Sequence, residues 1–213
     1  MNLDLFSATA DIEPIATASA VLRGFALQEE LAVIAAVESI AAQAPFRHMV
    51  TPGGFRMSVA MTNCGDFGWV SDRKGYRYDA LDPLSTKPWP LMPEMFSSLA
   101  AAAAIKAGFS DFIPDACLIN RYQPGARMTL HQDKNEQDFS QPIVSVSLGV
   151  SATFLFGGFE RSDHALRILL NHGDVVVWGG VDRLRFHGIL PVKQAAHLLL
   201  GDQRINLTFR KAG

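Results

Sequence analysis

Arg204-Ile205-Asn206-Leu207-Thr208-Phe209-Arg210 alternates polar and apolar residues. Successive side chains of a strand point to opposite faces. Ile205, Leu207 and Phe209 therefore share one face, and Arg204, Asn206, Thr208 and Arg210 share the other. Two arginines on a face that meets water are ordinary. Inside a barrel, two guanidinium groups are costly unless an anion neutralises them. A dicarboxylate suits such a face, because each guanidinium fork can hold one carboxylate through two hydrogen bonds.

Upstream, His131-Gln132-Asp133 places an imidazole and a carboxylate two residues apart, on one side of an extended chain. His187 follows after enough chain for several strands to bring it back. Two histidines and one carboxylate on one face of a metal leave the opposite positions open, the ligand set of non-haem Fe(II) oxygenases. His172-Gly173-Asp174 has the same spacing. Its central glycine and the Val-Val-Val-Trp run behind it make it a turn entering a strand. His48, His164 and His197, like His172, read as structural or exposed. A metal triad with open positions plus a dicarboxylate clamp describes an oxygenase that uses Fe(II), O2 and 2-oxoglutarate.

The chain has 213 residues and 48% hydrophobic content, enough for one well-buried domain. A net charge of −2 excludes a global basic signature, so any nucleic-acid binding must use a local patch. Cys64 and Cys117 match no zinc spacing and read as buried free thiols. Residues 1–11 carry aspartates and no basic stretch, so no secretory leader is expected. The apolar run 99–105 is too short to span a bilayer. A cytoplasmic monomer without membrane contact is the expectation.

Residues 20–25 read as a short strand. Residues 28–43 read as an amphipathic helix with Leu31, Ile34, Val37 and Ile40 on its apolar stripe. Residues 93–107 form a second helix, opened by Pro93 and closed by Gly108. Between them, residues 55–62 alternate as a half-buried strand, and 63–93 is a long, aromatic-bearing loop that we read as a lid. From residue 115 the pattern is short strands: 116–122, 143–148, 153–156, 166–170, 175–178, 197–200 and 204–210. Turn signals separate them, as in a sandwich or jelly roll.

Several segments carry a more specific likeness. They are Asn120-Arg121-Tyr122-Gln123-Pro124-Gly125, Leu130-His131-Gln132-Asp133-Lys134, residues 143–149, Phe156-Gly157-Gly158, residues 172–180 and the closing strand, with 49–54 and 57–65 in the lid. In these the chain resembles the AlkB family of Fe(II)/2-oxoglutarate-dependent nucleic-acid dealkylases, along most of its length. The resemblance implies a mainly β fold with flanking helices: a double-stranded β-helix (jelly-roll, cupin-like) core behind a nucleotide-recognition lid. It divides the single domain into supporting elements (1–44), lid (45–92), a supporting helix (93–114) and catalytic core (115–213).

The resemblance further implies that His131, Asp133 and His187 bind Fe(II). Arg204, helped by Tyr122 and Asn206, would take the distal carboxylate of 2-oxoglutarate. Arg210 and Asn120 would take the carboxylate nearer the metal. Arg121, Ile205, Leu207, Thr208 and Phe209 complete the cosubstrate segments. Trp69 would stack on the damaged base, Tyr76, Arg77 and Tyr78 would hold the strand's backbone, and Arg161 would lie at the nucleotide-binding surface. The implied reaction is oxidative N-demethylation of bases of the 1-methyladenine and 3-methylcytosine type. The implied substrate is DNA, preferably single-stranded, with double-stranded DNA and RNA as further substrates. It is coupled to 2-oxoglutarate decarboxylation and releases formaldehyde, succinate and CO2 in alkylation-damage repair.

The bacterial pattern has aspartate after His-Gln-Asp-Lys, where this chain has Asn135. An amide keeps an acceptor oxygen but loses the charge, so a weaker preference for cationic bases is expected. Two rivals are the same oxygenase chemistry on RNA or a protein side chain, and a non-catalytic jelly-roll domain that binds metal or nucleic acid.

Overall fold

β14 (Arg204–Arg210) lies inside the major sheet, paired antiparallel with β7 (Ala116–Tyr122) on one side and β9 (Ile143–Gly149) on the other. The computed structural model describes residues 11–213, so the reading of the first ten residues lies outside the described part. Beyond β9 come β12 (Val175–Trp178), β2 (Ser19–Leu22) and β1 (Ile12–Ala16); beyond β7 come β4 (Arg56–Gly65) and β3 (Arg47–Val50). A minor sheet, in the order β11 (Leu166–Leu170), β10 (Ala152–Phe156), β13 (His187–Ile189) and β8 (Met128–His131), faces it. Every strand pair is antiparallel. A separate hairpin pairs β5 (Gly68–Asp72) with β6 (Gly75–Asp79).

The alternation of β14 sorts the two faces of the major sheet. Ile205, Leu207 and Phe209 pack with Val33, Val37 and Ile40 of α1 (Glu30–Gln43) and with Phe96, Leu99 and Ala103 of α2 (Glu94–Lys106). On the opposite face, Leu118, Tyr122 and Trp178 meet Phe154, Phe156 and Ile189 of the minor sheet. The helices thus close one side, and the second sheet encloses the polar face of β14. That is the expected jelly-roll core.

Several details differ from the sequence reading. The buried stripe of α1 is Val33, Val37 and Ile40, while Leu31 is 65% exposed. A stripe kept at a strict spacing of three drifts off a helix that turns every 3.6 residues. β4 is buried at every position from Val59 to Cys64, because α1 and the core side cover both of its faces. Residues 197–200 form no strand; backbone bonds between His197 and Gly201 close a turn that leaves Leu198 in solvent. The loop expected over 63–93 contains the β5–β6 hairpin, and β3 and β4, assigned to the lid, are strands of the major sheet, β3 at its edge and β4 between β3 and β7. Cys64 and Cys117 are buried free thiols, directly opposite each other on β4 and β7. No helix among the described residues is long and apolar enough to cross a membrane.

Candidate metal centre and substrate hairpin

Two of the three candidate metal ligands come from strands too short to show any periodicity. β13 pairs with β8 so that His187 stands opposite His131. Close approach of these strands needs Gly188, where an added Cβ would meet the carbonyl oxygen of Met128 at 2.7 Å. Asp133 follows β8 in an irregular segment. The ligand atoms of His131, Asp133 and His187 all lie within 4.8 Å of one another. Each imidazole has a defined orientation: Nδ1 of His131 lies 2.9 Å from the Thr129 carbonyl, and Nδ1 of His187 lies 3.1 Å from that of Arg185. Protonated Nδ1 atoms donating to these carbonyls leave both Nε2 lone pairs for a metal.

Charge in the cluster suits a cation. Burial pushes the Asp133 carboxyl up, but Arg210, then His187 and His131, overcome it and hold it well below the usual carboxylate range. Burial, with His131 beside it, brings the His187 imidazole down from its ordinary 6.5 to about 3. The site therefore presents a carboxylate and a neutral imidazole at neutral pH, the forms that bind metal. The same depression has a stability consequence. Between pH 6.5 and about 3 the unfolded chain takes up a proton at His187 that the folded chain refuses. The His187 contribution is complete above pH 6.5 and is lost as pH falls toward 3. Urea midpoints of the metal-free protein are expected to drop more from pH 7 to pH 5 in wild type than in His187→Gln. Equal drops would refute the assignment.

Arg210 grips Asp133 through Nε and Nη2, 2.8 and 2.6 Å from Oδ2, leaving Oδ1 on the His131 side at 3.7 Å from that ring's Nε2. The three remaining polar residues of β14 line the same cavity with Asn120, Tyr122, Trp178 and the two histidines. Arg204 is 1% exposed, stacks at 4.9 Å over the Tyr122 ring, and finds only the Ser147 hydroxyl, at 2.9 Å from Nη2. Its Nε and Nη1, and Nη1 of Arg210, are buried without partners. Burial pulls the Arg204 guanidinium below its ordinary value. A buried guanidinium with two open donor sites fits an incoming carboxylate, and the metal cluster beside it fits a chelating 2-oxo acid.

Four expected cosubstrate contacts need correction. Arg121, between Asn120 and Tyr122, faces the helical side of the sheet, as do Ile205, Leu207 and Phe209. Strand alternation forces this, and their side chains cannot reach the cavity that holds Arg204. Thr208 does face the cavity, with its hydroxyl donating to Asn206 Oδ1 at 3.1 Å.

The hairpin stands beside the metal segment. Trp69 and Tyr76 stack with ring centroids 5.6 Å apart, and Trp69 Nε1 donates to Asn135 Oδ1 at 3.3 Å. Trp89 packs with Val70 and Ala44 beneath the hairpin, while Trp69 packs against the core between the two sheets. Trp89 is 4% exposed, donates to the Asp79 carbonyl at 2.9 Å, and packs so tightly on Gly68 that no Cβ fits there. Trp69 is half-buried, beside the segment that carries the metal cluster. Two residues expected to hold nucleic-acid backbone have partners of their own. Arg77 is paired with Asp72 and Asp79, and the Tyr78 hydroxyl donates to Glu136 Oε1 at 2.6 Å. Arg161 lies exposed, its guanidinium over Phe186 and hydrogen-bonded to the Leu130 carbonyl.

Sequence reasoning missed Glu136, Arg183 and Trp178. Glu136 is buried between Arg183 and Arg210, at 3.2 and 3.4 Å, and Arg183 also holds the Asp133 carbonyl at 2.9 Å. Nothing periodic marks these residues, because their partners are distant in sequence. Trp178 packs 4.8 Å from the His187 ring with its Nε1 unpartnered. The alternation of β12, which puts it on the face of Val176, was the available signal. The other His-x-Asp pair is structural: His172 Nδ1 accepts from the Gly149 amide, its Nε2 lies 2.7 Å from Glu30, and Asp174 receives Arg23 and the Gly24 amide.

The model of the 2OG-Fe(II) oxygenase superfamily matches residues 19–210. Two relatives named alpha-ketoglutarate-dependent dioxygenase AlkB, from Salmonella typhimurium and Escherichia coli, are 57% and 56% identical to this chain, covering 99% of it and 98% of each relative. The solved structure of OsALKBH1 superposes with a TM-score of 0.80 at 27% identity, covering 94% of this chain and all of that one.

Proposed function

The chain belongs to the AlkB family within the 2OG-Fe(II) oxygenase superfamily, and from that premise we propose that it removes N-alkyl groups from nucleic-acid bases by oxidation. Fe(II), held by His131, Asp133 and His187, would with 2-oxoglutarate and O2 supply the oxidising chemistry. Arg204 binds the distal carboxylate of 2-oxoglutarate, and Arg210 orients Asp133 and offers its free Nη1 to the nearer carboxylate. Phe154, Trp178 and Ile189 keep bulk water from the reacting centre. A base stacked on Trp69 presents its N-alkyl group to the metal. An N-methyl carbon leaves as formaldehyde, the ring nitrogen of 1-methyladenine or 3-methylcytosine recovers its lone pair as a proton is released, and 2-oxoglutarate ends as succinate and CO2. The reading covers a cytoplasmic monomer acting on 1-methyladenine and 3-methylcytosine in single- and double-stranded DNA, with RNA as a further substrate. Asn120 and Asn206 order the cosubstrate pocket. Tyr76, Arg77, Tyr78 and Arg161 form the strand-binding rim, Tyr78 and Arg77 through the residues they hold.

The observation that carries this reading is the convergence on residues 131–136. His131 and Asp133 belong to the metal cluster, Asn135 touches Trp69, and Glu136 touches Tyr78. Mass spectrometry of methylated single- and double-stranded oligonucleotides, incubated with Fe(II) and 2-oxoglutarate, tests it. Base stacking contributes about 1–3 kcal/mol, so Trp69→Ala is expected to lower oligonucleotide turnover by roughly fivefold or more. Uncoupled 2-oxoglutarate consumption is expected to survive. Unimpaired turnover would exclude Trp69 as the base platform.

The contact between Asn135 and Trp69 puts the departure from the bacterial pattern at the proposed base platform. A neutral amide there gives no ionic preference for a cationic base. Asn135→Asp is expected to raise the ratio of 1-methyladenine to 1-methylguanine repair. An unchanged ratio would remove Asn135 from specificity.

A further inference from the structure

A second cavity, of about 360 Å3, lies on the other side of the major sheet, between α1 and the backs of β7, β9 and β14. Its floor is Arg121, Leu148 and Ile205, and its apolar wall includes Ile34 and Val37. Volumes of about 300–1,000 Å3 with mostly apolar walls and few polar groups are typical of small-molecule sites. The polar group here is Arg121. Its guanidinium lies 4.5 Å from the centre of the Phe46 ring, and its Nε is buried without a hydrogen-bond partner.

Among the described residues eight arginines are buried or half-buried: Arg23, Arg47, Arg77, Arg121, Arg183, Arg185, Arg204 and Arg210. Six of them have a carboxylate within ion-pair distance. The two without one are Arg204 and Arg121. Arg204 awaits the carboxylate of 2-oxoglutarate. Arg121 is only half-buried, but it too lacks a carboxylate partner and has a buried Nε without one, in a cavity that the metal chemistry does not use.

We propose that this cavity is a second ligand site, taking an amphipathic monocarboxylate with an aromatic or medium-chain apolar body. The carboxylate pairs with Arg121, and the body replaces water against Ile34, Val37, Leu148 and Ile205. A dicarboxylate is disfavoured, since its second charge would lie against apolar walls and near Glu38 at the rim. A neutral amphiphile would leave the guanidinium charge unmatched. Because Arg121, Leu148 and Ile205 alternate with Asn120, Ser147 and Arg204 on the same strands, this ligand and 2-oxoglutarate lie back to back across one sheet.

Calorimetric titration of the metal-free protein with 4-phenylbutanoate, under saturating N-oxalylglycine to block the Arg204 cavity, tests the proposal. Arg121→Met and Ala41→Phe are the variants, each first matched to wild type by thermal melting. The expected result is saturable binding at one site. It should weaken about tenfold or more in Arg121→Met, the weight of one charge-assisted bond, and be lost in Ala41→Phe, which fills the cavity. 4-Phenylbutan-1-ol is expected to bind about tenfold more weakly than the acid to wild type, and equally to Arg121→Met. Equal affinity of wild type and Arg121→Met for the acid overturns the proposal. So does binding abolished by N-oxalylglycine, which would place the acid in the metal cavity, and so does absence of binding to wild type.

Discussion

His187→Ala is expected to abolish succinate formation coupled to a methylated oligonucleotide, to below about one hundredth of wild type. Loss of an outer partner of a metal ligand already costs about 10–100-fold, and here the ligand itself is lost. His187 is the most buried of the three ligand residues, 5% exposed, and packs against Trp178 and Phe154. Alanine would remove one donor and leave Asp133 and His131 facing a gap. Anaerobic addition of Fe(II) and 2-oxoglutarate gives a visible charge-transfer band when a chelated ferrous site forms. Its loss from a variant that still melts cooperatively separates loss of the site from loss of the fold. Retained activity would refute the ligand assignment, and wild type without a band despite full iron loading would favour a non-catalytic binding domain.

Arg204→Met is expected to act in opposite directions on binding and on stability. In the protein without cosubstrate, a fully buried guanidinium with two unmatched donors is destabilising. Methionine fills similar volume without charge. Exchanges of buried ionic groups for well-packed apolar ones are often neutral or stabilising by about 1–4 kcal/mol, so the melting temperature of the metal-free protein should hold or rise. Cosubstrate binding should suffer, because truncating one partner of a buried, hydrogen-bonded charge pair costs about 2–5 kcal/mol. That is roughly 30-fold or more in the Kd of 2-oxoglutarate, read from titration of the charge-transfer band. Unchanged affinity would remove Arg204 from the cosubstrate site. A large loss of stability would mean that the arginine has a structural partner.

Much of the site was legible because strands have a period of two. The alternation of residues 204–210 separated Arg204, Asn206, Thr208 and Arg210 from the core-facing residues, and the fold keeps that division. The same rule places Arg121 away from Asn120 and Tyr122. Resemblance over the whole 120–122 segment does not carry this division, and the strand period does. Glycines and charges break the alternation of the β5–β6 hairpin, so its sequence carries no strand signal. Its stability comes from cross-strand pairs such as Ser71 opposite Tyr76, and from Trp89 beneath it. The leucines at 198–200 looked like a strand but have no neighbouring strand to pair with, and hydrophobicity without a partner does not make a sheet.

Which residue types could meet is legible from the chain's residues alone. The ligand set, the two arginines and the polar face that carries them follow from side-chain chemistry and local period. How they divide the work depends on the packing of distant strands. Pairing of β8 with β13 sets His131 opposite His187, although neither strand is long enough to announce itself. Enclosure by the minor sheet commits Arg210 to Asp133 and leaves Arg204 open. Arg204 and Arg210 are equivalent in the sequence pattern. They differ because their neighbours come from strands far away in the chain, and in a dry interior the value of a charge is set by those neighbours.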